Sequence, residues 1–98
     1  MINRKQRAAL RSMANGIDPI LWIGKGGINE NMAEQVSLAL EARELIKLAV
    51  LETADVTARE ACETLAQATG AEPVQCIGRK FVLYRESATL NPEKRIKI

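Results

Sequence analysis

The sequence predicts an α/β chain of the two-layer α+β kind. Its elements run in the order αβαβαββ, building a four-stranded mixed sheet with helices packed mainly on one face. Three observations predict this. Segments whose apolar residues recur at helical spacing alternate with short runs rich in Ile, Leu and Val. Chain-reversing glycines stand at Gly16, Gly70 and Gly78, just past such segments. No repeat or low-complexity linker divides the 98 residues, a length that suits one domain. That domain is expected over residues 1–86, and residues 87–98 read as a mobile, polar, basic tail.

Residues 2–15 read as a helix. Ile2, Ala9, Leu10 and Met13 share one arc at 100° per residue, and Arg4, Arg7 and Arg11 share the opposite one. Asn15-Gly16 ends it, because glycine accepts the left-handed stop. Ile20-Leu21-Trp22-Ile23 reads as a short buried strand, with Pro19 at its first position, where no ladder donor is needed. A second helix begins near Asn29 or Glu30. Asn29 suits the N-cap and Glu30 the positive end of the helix dipole. Its inner stripe is Met32, Val36, Ala39 and Leu40; its outer stripe is Glu30, Glu34, Ser37 and Glu41.

Glu44 to Leu51 is a second strand, apolar on both faces except at Lys47. Strand, helix and strand in this order predict a βαβ unit with parallel strands and a right-handed crossover. Thr57 and Glu60 have capping-box spacing at the start of a third helix. Ala58, Ala61, Cys62, Leu65 and Ala66 form its buried side, and Gly70 stops it. Pro73 to Ile77 and Lys80 to Arg85 are β-rich runs around Gly78-Arg79. Glycine at the first central position suits a type II′ hairpin.

The net charge of +2 hides a strong asymmetry. Residues 1–29 carry a net of +4, residues 30–72 a net of −6 and residues 73–98 a net of +4. Two basic ends that meet in space would make one face attractive to phosphate backbones. No apolar run is long enough to span a membrane. No apolar stretch follows the basic start Met1-Ile2-Asn3-Arg4-Lys5, so no signal peptide is expected. Cys62 and Cys76 read as reduced, packed thiols of a cytoplasmic protein. With no histidine beside them, they leave a zinc site short of ligands. Neither metal, cofactor nor catalytic residue is expected.

The chemistry centres on Gly24-Lys25-Gly26-Gly27, between strand and helix. Three glycines remove side chains where a ligand would meet the backbone. The helix that follows offers unpaired N–H groups to an anion, and Lys25 adds a full charge. A mononucleotide P-loop is excluded because Lys25 comes too early and the metal-binding hydroxyl is missing. A dinucleotide fingerprint fails at Asn29. What remains is Gly-x-x-Gly, the spacing with which KH domains clamp an RNA backbone. A plain strand-to-helix turn also uses glycine; the lysine, the strand before it and the basic flanks favour the phosphate.

The hairpin is the second candidate surface. Arg79 and Lys80 lie at its turn, Tyr84 can stack a base, and Arg85 can hold a phosphate. Phe81 is expected in the core. Trp22 is expected to pack there too, and Lys47 to sit at an edge or snorkel to solvent.

Three blocks carry a family resemblance: Trp22-Ile23-Gly24-Lys25-Gly26-Gly27-Ile28, Glu44-Leu45-Ile46-Lys47, and Ile77-Gly78-Arg79-Lys80-Phe81-Val82-Leu83-Tyr84-Arg85. In this order and spacing they resemble the CRM domain (chloroplast RNA splicing and ribosome maturation), in its stand-alone, YhbY-like bacterial form, over about residues 2–86. The resemblance implies a fold akin to the C-terminal domain of translation initiation factor three. It implies RNA binding by the glycine loop in the KH manner. It also implies association with RNA of the large ribosomal subunit or its precursor, with no membrane and no small-molecule substrate. Two other classes stand beside it: a small nucleotide-binding domain, which lacks histidine and a Walker lysine, and a protein–protein adaptor using the acidic middle helices.

Overall fold

Helix, strand and turn signals place eight elements in the computed structural model, which describes residues 2–98. They are α1 (Arg4–Ala14), β1 (Pro19–Ile23), α2 (Glu30–Arg43), β2 (Leu45–Val50), α3 (Ala58–Thr69), β3 (Glu72–Ile77), β4 (Lys80–Tyr84) and a 3-10 turn, Pro92–Lys94. The order αβαβαββ is as expected. The local chemistry is visible at most boundaries; the exception is Gly16, which does not take the expected left-handed stop, since α1 ends on Asn15 in a right-handed conformation at φ −63°. Asn3 and Thr57 form capping boxes with Gln6 and Glu60. The Asn29 side chain accepts from the Met32 N–H, and Gly70 closes α3 at φ 73°. Gly78 alone has positive φ in the hairpin turn, as a type II′ turn requires.

The four strands pair in the order β1-β2-β4-β3. β1 runs parallel to β2, and β4 runs antiparallel to both β2 and β3. Alternation along the strands feeds two cores. Ile23, Ile46, Leu48, Val50, Phe81 and Leu83 face α2 and α3. Leu45, Val74, Val82 and Tyr84 face Leu10 and Ala14 of α1. Two helices thus cover one face, and the single α1 covers only part of the other.

Four expectations are corrected. On α1 the buried residues are Leu10 and Ala14, while Ala9 and Met13 are exposed. The helix axis is turned so that Arg7 reaches β3. There it donates to the Pro73 carbonyl at 3.3 Å and pairs with Glu72 at 3.7 Å. Cys62 is buried but Cys76 is exposed, since β3 lies at a sheet edge. Ser37 and Glu41 are only half-exposed, because Arg85 reaches both.

The largest correction concerns Glu44 and the tail. Glu44 precedes the strand rather than opening it. It caps α2 with φ 64° and is fully buried. A left-handed, non-glycine backbone costs about 1–2 kcal/mol. The Glu44 carboxylate offsets this by accepting the Ser87 N–H at 2.7 Å and the Ile96 N–H at 2.6 Å. Glu41 adds the Thr89 hydroxyl at 2.9 Å and the main-chain carbonyl that takes the Ser87 hydroxyl at 2.7 Å. Ile96 packs against the core under α1. Residues 87–98, which read as a mobile tail in the sequence, are folded back as a strap against Glu44 and the core under α1. The acids that hold it lie in a distant helix, invisible to a local reading.

Candidate nucleic-acid interface

A tight turn builds the glycine loop. The Gly27 N–H donates to the Gly24 carbonyl at 3.0 Å, which places Lys25 and Gly26 at the tip, both exposed. The glycines differ in what the fold asks of them. Gly27 has φ 68°, so a side chain there is strained. A Cβ at Gly24 would lie 3.5 Å from Leu51, in ordinary contact. At Gly26, φ is ordinary and a Cβ would meet nothing within 4 Å. Backbone conformation explains Gly27, and neither conformation nor packing explains Gly26.

The helix contributes less than expected. Two residues, Ile28 and Asn29, separate the turn from α2. Asn29 takes the Met32 N–H, and exposed Glu30 occupies the first turn, where its charge opposes a second anion. The donors nearest a ligand are the loop's own N–H groups and the Lys25 ammonium. Lys25 makes no ion pair among the described residues.

Sheet topology brings more positive charge to this end. The Val50 N–H donates to the Arg79 carbonyl at 2.7 Å, and the Leu51 N–H to the Ile23 carbonyl at 2.9 Å. The hairpin turn and the glycine loop therefore flank the end of β2 on either side, which gathers Lys25, Arg79 and Lys80. Arg79 is partly neutralised by Glu52 at 3.7 Å, an exposed pair of small energetic weight.

The strand register aligns Trp22, Ala49, Lys80 and Ile77 across all four strands. This row lies on the α1 face, beyond the part that α1 covers. Trp22 is 53% exposed and Ile77 is 65% exposed. Lys47 follows one pleat behind, opposite Val82 and half-exposed. The expected core role of Trp22 is thus corrected. Its neighbour Ile23 takes the inward position, and alternation sends the indole outward. That alternation was the available signal, since two adjacent strand residues cannot both face one core.

The other predicted residues are not brought to the loop. Arg4 is exposed on α1, and Arg7 is tied to the start of β3. Arg11 lines a recess beside β3 that also includes Arg59, Pro73, Cys76 and Ile77, so it approaches the row from the edge. Tyr84 is 8% exposed and packs under α1. Burial, then the charges of Glu44 and Glu86, push its phenol upward. Arg85 donates to the Thr69 carbonyl at 2.7 Å, the Ser37 carbonyl at 2.8 Å and the Ser37 hydroxyl at 3.0 Å. Stacking by Tyr84 and phosphate binding by Arg85 are therefore corrected: both side chains are committed to the fold.

Known proteins resemble this chain in sequence and fold. The family model described as the CRS1 / YhbY (CRM) domain matches residues 2–85. The chain is 45% identical over 87 residues to "Probable RNA-binding protein YqeI" of Bacillus subtilis, covering 89% of this chain and 91% of that one. It is 31% identical over 86 residues to a protein of Haemophilus influenzae named "RNA-binding protein", covering 88% and 87% of the two chains. The solution structure of a hypothetical protein of Staphylococcus aureus superposes with a TM-score of 0.78 at 50% identity, over 99% of this chain and 100% of that one.

Proposed function

This chain belongs to the CRS1 / YhbY (CRM) domain family, and from that premise we propose that it binds RNA, clamping the phosphate backbone in the loop Gly24-Lys25-Gly26-Gly27. The names of its relatives point to RNA. The observation that carries the loop assignment is Gly26. The fold would accept a side chain there, yet a bare backbone at an exposed tip lets a phosphate approach the N–H groups closely. Lys25 supplies the charge, and Lys80 and Arg79 extend it along the strand ends. Arg11, beside Cys76 and Ile77 at the β3 edge, lengthens the basic track toward α1, and Arg4, at the far end of that helix, lies outside it.

Gly26→Asp tests the assignment, because it places a carboxylate at the tip without backbone strain. RNA binding should weaken at least tenfold, about 1.4 kcal/mol, with an unchanged circular dichroism spectrum. Unchanged affinity would remove the loop from the mechanism. Wild-type affinity should also fall steeply with salt, as displaced counterions demand.

The RNA we assign is that of the large ribosomal subunit or its precursor, met in the cytoplasm during assembly. The family resemblance supports this choice, and a lysate gradient tests it. Co-migration with large-subunit particles at low salt, lost at high salt or after nuclease, is expected. A protein that stays at the top of the gradient throughout would refute the ribosomal role and leave RNA binding to be judged separately.

A further inference from the structure

We infer that Trp22 is a stacking platform for an unpaired RNA base, so that the site takes single-stranded RNA rather than an intact duplex. The inference rests on the loop reading above and adds the base side of the same ligand.

Four observations carry it. Trp22 is the sole tryptophan of the chain and is 53% exposed. An indole at that exposure forgoes much of the burial that a tryptophan gains in a core. It lies two residues before Gly24, so a backbone held at the loop tip brings its next base near the indole. Beside Trp22 in the row stands Ala49, a small side chain that is 8% exposed and adds no bulk between the indole and β4. Beyond Ala49 stands Lys80, about 10 Å from Trp22 by strand spacing. Lys25 in the loop, with Lys80 and half-exposed Lys47 on the same face of the sheet as Trp22, makes no ion pair among the described residues, nor do those two lysines. Of the acids at this end, Glu52 faces Arg79 and Glu30 lies on the first turn of α2.

An exposed aromatic face with unpaired lysines on the neighbouring loop and strands suits a base with its phosphates attached. A neutral apolar partner would leave those ammonium groups buried without counterions. In a duplex, each base is already stacked on its neighbours and shows the protein only an edge. Unpaired loops, bulges and ends can offer a face.

Because Trp22 is alone, its fluorescence reports on this site in the unmodified protein. A single-stranded oligoribonucleotide and a duplex of equal length, each end-labelled, are titrated while anisotropy records binding and tryptophan emission records stacking. Single-stranded RNA should quench the emission strongly and shield it from acrylamide, and duplex should do neither. Trp22→Ala should weaken single-strand binding about 5- to 100-fold, the range of one stacked base, and Trp22→Phe should restore most of it. RNA that binds by anisotropy yet leaves emission and acrylamide access unchanged would overturn the inference. The loop reading would then survive, and the Trp22–Ile77 row would pass to a protein contact. Absence of binding to either RNA would overturn both readings together.

Discussion

The two ends of the sheet use similar side chains for opposite purposes. At the strap end, Tyr84 is buried under α1 and Arg85 is held by Ser37, Thr69 and Glu41. At the loop end, Trp22, Lys25 and Lys80 are exposed. An aromatic next to a cation is therefore no sign of a nucleic-acid site by itself. What matters is whether the fold has already satisfied their donors and buried their surfaces. At the strap end the partners are carbonyls and a hydroxyl of the helices together with the Glu41 carboxylate, which also takes the Thr89 hydroxyl. At the loop end there are almost none.

The contrast predicts that the two ends fail differently. Arg85→Ala should have the largest effect. It strands the Thr69 carbonyl at the end of α3, removes the bonds to Ser37 and Glu41, and should cost about 2–4 kcal/mol in urea unfolding. RNA affinity measured where the variant is folded should not change. A loss of affinity with full stability would break the comparison. Glu44→Ala should cost a similar amount and free the strap to proteolysis, since two backbone N–H groups lose their acceptor.

At the loop end, Lys25→Ala should leave the melting temperature alone. It should lower RNA affinity several-fold and reduce the salt slope by about 1; an unchanged slope would mean that Lys25 meets no phosphate. Gly27→Ala should be less informative than a change at Gly26, because its positive φ adds about 1–2 kcal/mol of strain.

Acid sharpens the comparison from the strap side. The Thr89 hydroxyl, with the Ala88 and Thr89 N–H groups and Ser87, holds the Glu41 carboxyl below the ordinary value of 4.5, against a smaller opposing effect of desolvation. A depressed folded value stabilises the fold above the unfolded one and is lost as pH falls through it. Protection of the Ala88 and Thr89 amides, taken against the intrinsic exchange rate at each pH, should therefore fall below about pH 4.5, ahead of the core; protection that tracks global unfolding would deny Glu41 this local role.

The smallest effect is chemical. Burial pushes the Cys62 thiol up to about 11, so iodoacetamide at pH 8 should modify exposed Cys76 and spare Cys62. Between pH 9.0 and about 11 the unfolded thiol ionises before the folded one, and stability should decline slightly. Equal labelling of both thiols would contradict the packing of α3 on the sheet.

The elements were legible because their signals are local. Asn29, Thr57 with Glu60, Gly70 and Gly78 each act on backbone within a few residues, and each stands where expected. The loop was legible as spacing. The role of Gly26 within it needed coordinates, because only they show empty space around a missing Cβ. Tyr84 and Trp22 exchanged their expected places for one reason. Alternation tells which residues share a face, but not how far a helix extends over that face.

The sequence by itself determined the order of elements, the turn chemistry, the family and the exposed glycine loop, all of which depend on neighbours in the chain. Tertiary structure decided the strap, the burial of Glu44, the capture of Arg85 and the exposure of Trp22. Each of these joins residues 16 to 52 positions apart or depends on where α1 stops short. Such partners satisfy donors and cover surfaces through long-range geometry, which no short-range pattern encodes.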